Sequence, residues 1–378
     1  VLAIALPTGG IMTTRQIYRE TFVPDLTVSH FGLATTLRLD IEQTLFGLEE
    51  PSRPDPGEGS VSTLAPGNVS VQPEEPEEGK TPAASGPNVM DIDFDALIAN
   101  ETDSTLKDMH EYFRDRTPTE KNQYTGMFQG KNLLLFTGEA FWIGAVNEQY
   151  TPTLYKLAHS GFVFENFYNP LWYYSTVDGE YAATTGLIPT NQVNASQRYA
   201  GKNGVSMYFS MGNQLRALGY PTLAYHNNTA NYYDRNLSHP NLGYDFYACD
   251  TGLDVAMTWP QSDLEMMQLT LPQALAGEKP FHNYYMTVSG HMNYSFAGNA
   301  MSAKHRDEVA DLDMSEAARA YLACNMELDQ ALEYTIKTLE EAGELENTVI
   351  VLSGDHYPYG LDGTGAIDEL AGEGTEAD

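Results

Sequence analysis

The stretch Glu346–Gly360, ENTVIVLSGDHYPYG, decides how the rest of the chain is read. Four apolar residues, Val349-Ile350-Val351-Leu352, end at Ser353-Gly354, and Asp355 and His356 follow at once. A short apolar run without polar alternation suits a strand buried on both faces, as in a parallel sheet. A carboxylate and an imidazole at the mouth of such a strand suit a ligand site, because open α/β sheets bind ligands beyond the carboxyl ends of their strands.

The same pattern recurs upstream. KNLLLFTGE places Glu139 after an apolar run and Gly138. PTLAYHNN ends on His226-Asn227-Asn228, and NYYMTVSGH ends on His291. Between these runs lie helical patterns: TPTLYKLAHSG closed by Gly161, MGNQLRALGY closed by Gly219, and a long helix, EAARAYLACNMELDQALEYTIKTLEEAG, closed by Gly343. FVFENFYN reads as a strand or an extended aromatic segment. Short apolar strands alternating with helices predict an α/β fold with a mostly parallel central sheet flanked by helices. The four strand ends then converge on one rim.

Glu139, Asp355 and His356 offer two carboxylates and one imidazole. That mixed oxygen and nitrogen set suits Zn2+, Mn2+ or Mg2+ better than metals that prefer thiolates. Any one such loop-end residue is most often merely solvated; the repeated strand–Gly–acid pattern favours a metal site. Gly138 and Gly354 are expected to supply the sharp turns that aim these ligands. In YYSTVDGEYAATTGL, Ser175-x-x-Asp178 reads as a capped helix start, which puts Thr176 at a helix N-terminus. There an alkoxide or phosphate oxygen is favoured, and a nearby metal would activate the hydroxyl as a nucleophile. The aromatic stretches NPLWYY, TANYYDR and GYDFY read as core or as the lining of a lipid or sugar pocket.

The chain has 378 residues, with 52 acidic against 20 basic side chains and a formal charge of −32. Such a surface repels nucleic acid, so no nucleic-acid partner is expected. Two cysteines, Cys249 and Cys324, cannot form a disulfide framework, and whether they pair is not readable. No G-x-S-x-G elbow, P-loop or G-x-G-x-x-G occurs. Residues 49–89, rich in Pro, Gly, Ser and Glu, predict a disordered linker. Residues 1–48 form an arm with an amphipathic stretch, HFGLATTLRLDIEQTLFG, and 90–378 the principal domain. DIDFDALIANETDSTLKDMHEYFRDR reads as one or two short helices. No stretch reaches the apolar length of a membrane helix, although VLAIAL could be the stub of one or a buried strand.

LLLFTGEAF, TPTLYKLAHSGFVFENFYN, STVDGEY, YYDRNLSHPNLGYDFY, TVSGHMNY and LDQALEYTIKTLEEAGELENTVIVLSGDHYPYG resemble, in order, the lipoteichoic acid synthase family of the alkaline phosphatase/sulfatase superfamily. The resemblance spans residues 131–360. It implies that Glu139, Asp355 and His356 are metal ligands, with Thr176 as both fourth ligand and nucleophile. It implies that His291 meets the substrate phosphate or leaving glycerol, and that Arg235 holds the phosphate. Tyr233 stands where the family often has Trp, in the glycerophosphate pocket. The implied reaction moves glycerophosphate from phosphatidylglycerol to a lipoteichoic-acid-type polymer through a phospho-threonine, using Mn2+ or Mg2+, with Zn2+ a further option. The implied location is the extracellular face of the cell membrane of a Gram-positive-type bacterium, with the membrane surface as partner and VLAIAL as the stub. Family catalytic domains run on for about 100 residues more, so a C-terminally incomplete domain is expected. The competing readings are a sulfatase, a phosphoethanolamine transferase, or a non-catalytic glycolipid or polymer binder. The C-x-P-x-R and S-x-P-x-R motifs of common sulfatases are absent, and the cysteine richness of phosphoethanolamine transferases is missing. A pure binder has no need of Thr176.

Overall fold

The computed structural model describes residues 85–164, 167–168, 172–205 and 207–371. The N-terminal arm, most of the 49–89 stretch and part of FVFENFYN lie outside the described residues. The chain divides into two units, one of residues 51–129 and one holding the remainder. In the smaller unit, α1 (Phe94–Asn100) and α2 (Ser104–Arg114) start on Asp93 and Asp103, whose carboxylates accept the first-turn N–H groups. Pro87 pairs with Glu120 in an isolated bridge.

The larger unit contains β1 (Asn132–Gly138), α3 (Pro152–Ala158), α4 (Thr176–Thr185), α5 (Val193–Asn203), α6 (Met211–Ala217), β2 (Thr222–His226), α7 (Arg235–Asn241), β3 (Asp245–Ala248), α8 (Asp263–Ala276), β4 (His282–Met286), α9 (Ala300–Lys304), α10 (Glu316–Glu341), β5 (Thr348–Gly354) and α11 (Ala366–Ala371). The strands form one sheet in the order β3-β2-β4-β1-β5. Every pairing in it is parallel.

Both faces are covered. On one, Leu134, Phe136, Tyr225 and Tyr285 pack on Met266, Met267 and Leu271 of α8 and on Leu328 and Leu332 of α10. On the other lie Leu135, Ala224, Tyr244, Tyr284 and Met286. Two-sided burial is why β1 reads as a continuous apolar run. β5, expected to be buried on both faces, is instead the last strand of the described sheet, with Val349, Ile350 and Leu352 half-buried and Val351 39% exposed. Register then places the site. Gly138 pairs with Gly354, Thr137 with Met286, and Met286 with His226. The chain therefore leaves β1, β5, β4 and β2 at one level, immediately before Glu139, Asp355, Thr287 and Asn227.

Two open sequence readings are narrowed by the structure and one further expectation is overturned. GYDFY is in part a strand, β3: Tyr244 is in the core, while Tyr247 stacks on Tyr225 at 5.6 Å with its other side exposed. The five described residues of FVFENFYN, 162–164 and 167–168, are not strand, which leaves the extended reading. Gly138 and Gly354 are not among the glycines at positive φ; the sharp turn after β1 is made by Ala140, at φ 50°. Gly138 instead keeps space for Phe141, whose Cβ would lie 2.7 Å from an added methyl.

Candidate active site

Three elements bring the cluster together. β1 delivers Glu139, β5 delivers Asp355 and His356, and the first residue of α4 delivers Thr176. The Thr176 hydroxyl donates to Glu139 Oε2 at 3.3 Å and lies 3.4 Å from His356 Nε2. His356 Nε2 is 3.3 Å from Glu139 Oε1 and 3.6 Å from Asp355 Oδ2. Ligand atoms of Glu139, Asp355 and His356 lie within 4.8 Å of one another, and all three residues are buried. The structure thus places together the four residues that the sequence singled out.

The backbone around them is tightly held. Asp355 Oδ1 accepts from the N–H groups of Ala140 (2.8 Å) and His356 (2.7 Å). Tyr321 donates its hydroxyl to Ala140 O and accepts from Trp142 N–H, bracketing the turn after Glu139. The expected cap at Ser175 is not formed: its side chain makes no cap bond and its φ is 38°. Asp178 works in the reverse sense, its Oδ2 accepting the Tyr174 N–H at 2.9 Å and tying the incoming turn to the helix. Among the described residues, the non-glycine residues at positive φ are Ala140, Ser175, Tyr233 and Asp234. Each adjoins a site residue, and such conformations cost about 1–3 kcal/mol and cluster at functional sites.

The donor set fits a divalent cation. Asp355 Oδ2 is buried and has no hydrogen-bond partner. His356 Nδ1 lies 2.8 Å from Tyr357 O, so in the neutral ring Nδ1–H donates there and Nε2 keeps its lone pair toward the cluster. The charges need a counter-ion. Burial and then the Glu139 charge push the Asp355 carboxyl up to about 8. Burial opposes charge on His356, but Asp355 and Glu139 outweigh it and raise the ring to about 9. Burial also works to raise Glu139, yet His291 and His356 hold it down to about 2. Two carboxylates crowded in a dry site satisfy each other only through protons or a cation.

A narrow cleft opens beside this cluster, lined in part by Glu139, Thr176, His226, Tyr233, Arg235 and His291. Arg235 is buried and is clamped by Glu180, with Nε 3.1 Å from Oε2, while Nη1 reaches His226 Nε2 at 3.2 Å. His226 Nδ1 faces Met286 O at 3.1 Å, so its Nε2 accepts from the arginine. Burial and the adjacent Arg235 hold His226 neutral, its pKa well below the usual value. Tyr233 is 5.3 Å from the Arg235 guanidinium, ring centroid to Cζ. His291 stacks edge-on against Trp259 at 4.9 Å. TANYYDR therefore lines a pocket, unlike GYDFY. Glu180 and Trp259 were not singled out from the sequence; Glu180 lies one turn after Thr176, and only that spacing hinted at it.

A family model described as Sulfatase matches residues 131–376, and the chain belongs to this family. Several of the curated proteins it is similar to are named lipoteichoic acid synthases. Lipoteichoic acid synthase 2 of Bacillus subtilis (strain 168) is 23% identical over 284 residues, 71% of this chain and 42% of that protein. The lipoteichoic acid synthase of Staphylococcus saprophyticus is 25% identical over 289 residues, 73% of this chain and 43% of that protein. The crystal structure of the lipoteichoic acid synthase LtaP from Listeria monocytogenes has the same fold, with a TM-score of 0.51 and 22% identity over 61% of this chain and 57% of that one. The chain thus spans about two fifths of the length of these curated relatives. No described helix is long and apolar enough to cross a membrane. Cys249 and Cys324 are both free.

Proposed function

We propose that this protein is a metal-dependent phosphoglycerol transferase, moving glycerophosphate from phosphatidylglycerol to a glycerophosphate polymer through a phospho-threonine. We place it on the extracellular face of a cell membrane, with residues 1–48 as an arm following a membrane segment, 49–89 as a linker and 90–378 as the catalytic domain. The observation that carries the reading is the Thr176 hydroxyl at the head of α4, within hydrogen-bond reach of Glu139 and His356. A binding module needs no hydroxyl there, and the names of the relatives, lipoteichoic acid synthases, support the polymer class.

Glu139, Asp355, His356 and Thr176 would hold Mn2+ or Mg2+, with Zn2+ chemically admissible. The bound cation would polarise a phosphoryl oxygen and lower the pKa of the Thr176 hydroxyl. Thr176 Oγ1 forms the new bond to phosphorus as the bond to the diacylglycerol oxygen breaks. Arg235, held in line by Glu180, neutralises charge on the remaining phosphoryl oxygens. His291 faces Met292 O through Nδ1 at 2.7 Å, which orients the ring. Its Nε2 gives a proton to the departing oxygen and takes one from the incoming polymer hydroxyl, whose attack breaks the Thr176 ester. Tyr233 packs beside the glycerol.

The test is turnover of a fluorescent phosphatidylglycerol by the full-length protein with Mn2+. Diacylglycerol release should fall by on the order of 10³-fold or more in Thr176→Ala, and chelator should abolish it. Mass spectrometry should find a glycerophosphate adduct on Thr176. Release of sulfate or ethanolamine phosphate from other substrates would transfer the site to another branch of the superfamily. Metal and polymer binding without turnover would make it a binder.

A further inference from the structure

We propose that Asn299 is a positioning residue for His291, a role that rests on the transferase reading of the cleft. Asn299 ends the segment SFAGN, directly before α9, and is 1% exposed. Its Nδ2 donates to two carbonyls, Ser289 O at 3.0 Å and His291 O at 2.8 Å. Its Oδ1 accepts the Ser302 N–H at 2.8 Å and so caps α9.

The loop it grips has little freedom elsewhere. The Val288 and Ser289 N–H groups donate to Asp263, and the His291 N–H donates to Val288 O at 3.0 Å. A methyl on Gly290 would lie 2.3 Å from Glu139 O, so the loop rests directly on the backbone of a cluster residue. The His291 carbonyl is the loop's outgoing end, and Asn299 holds it. Ser, Thr or Asp would cap α9 as well. Only a primary amide accepts at the cap and also donates twice. That chemistry singles out Asn for the loop rather than for the helix. A proton carrier displaced by about 1 Å costs rate far more than affinity.

Asn299→Asp separates the two jobs: it keeps the cap oxygen, removes both donors and turns a carboxylate toward two carbonyls. In the Mn2+-loaded full chain we expect kcat on phosphatidylglycerol to fall by about tenfold or more, with KM changed by less than about twofold. Added to His291→Ala, the same substitution should cost less than about twofold, because its effect runs through the missing ring. Hydrogen exchange should rise at the amides of residues 290–292 while the Ser302 amide stays protected. Unchanged kcat, losses that multiply in the double variant, or unchanged exchange at 290–292 would each overturn the assignment. If the wild-type protein fails to turn over the lipid, the transferase reading falls, and the exchange pattern still decides whether Asn299 holds the loop.

Discussion

The two oxygens of Asp355 live in different circumstances. Oδ1 accepts two backbone N–H groups, whereas Oδ2 is buried without a donor. Without a cation, protons relieve the crowding. Asp355, raised to about 8, and His356, raised to about 9, both hold protons in the folded chain that the unfolded chain has released. The stability they contribute is therefore present at low pH and lost as pH rises, for Asp355 through about 8 and for His356 from its usual 6.5 through about 9. In EDTA, urea midpoints should fall between pH 6.5 and 9, and Mn2+ should restore most at the alkaline end, releasing protons as it binds. Asp355→Asn keeps the Oδ1 contacts and removes the repulsion. In EDTA it should melt about 2–4 °C above wild type, and its melting point should no longer respond to Mn2+. A lower melting point in EDTA would show that the carboxylates are not in conflict. Glu139, Asp355 and His356 were legible in the sequence because each follows an apolar run and a glycine. Glu180 was not, because its partner Arg235 lies far along the chain, and Asn299 was not, because in sequence an asparagine that also grips a loop looks like any helix cap.

At the scale of elements, α4 is the part that must not move. Its Gly179 sits against the turn after β5: an added Cβ would lie 2.2 Å from Asp355 O and 2.5 Å from Asp355 Cα. Neither contact can yield, since both atoms are backbone. Gly179→Ala sets two effects against each other. Alanine favours a helix interior by about 1 kcal/mol, while the clash drives the nucleophile helix off the ligand-bearing turn. The clash should win. Melting temperature should fall, and Mn2+ affinity and transfer rate should fall together, because Thr176 moves with the helix. Unchanged Mn2+ affinity by calorimetry would mean that α4 is not coupled to Asp355. Element type was legible where periodicity is strong, as in α10 and β1. It was not at β3, an edge strand of four residues that opens on the exposed Asp245. Nor was the geometry of the turns: sequence pointed to Gly138 and Gly354, but Ala140 and Ser175 take the left-handed conformations, held there by Tyr321 and Asp178.

At the scale of the whole molecule, acid is the informative stress, because the chain carries −32 at neutral pH and buries ionisable groups of opposed tendency. Burial holds His239 down to about 3 and His282 to about 4, and keeps His226 well below 6.5. Below pH 6.5 the unfolded chain takes up these protons and the folded one does not, so the histidines lose stability on acidification. Burial pushes Asp178, Asp263 and Asp329 up to about 6. Across the window from about 6 to 3.8 the folded chain takes up these protons first, so the aspartates gain stability on acidification. The two groups offset each other, and in EDTA the proton on Asp355 adds to the gain. Glu327 opposes the aspartates at lower pH. Burial would raise it, but His305, Lys304 and Ser262 hold it down to about 2. Its contribution is present above its usual 4.5 and lost as pH falls through about 2. Urea midpoints measured in EDTA should therefore hold level or rise from pH 6.5 to about 4.5, then drop steeply below it. Glu327→Gln should flatten that drop while lowering stability at neutral pH, since Lys304 and His305 lose their shared carboxylate. A decline that starts at pH 6.5 with the slope of the histidines alone would show that the buried aspartates titrate as they do in water, and the burial of Asp263 behind the His291 loop would then be wrong.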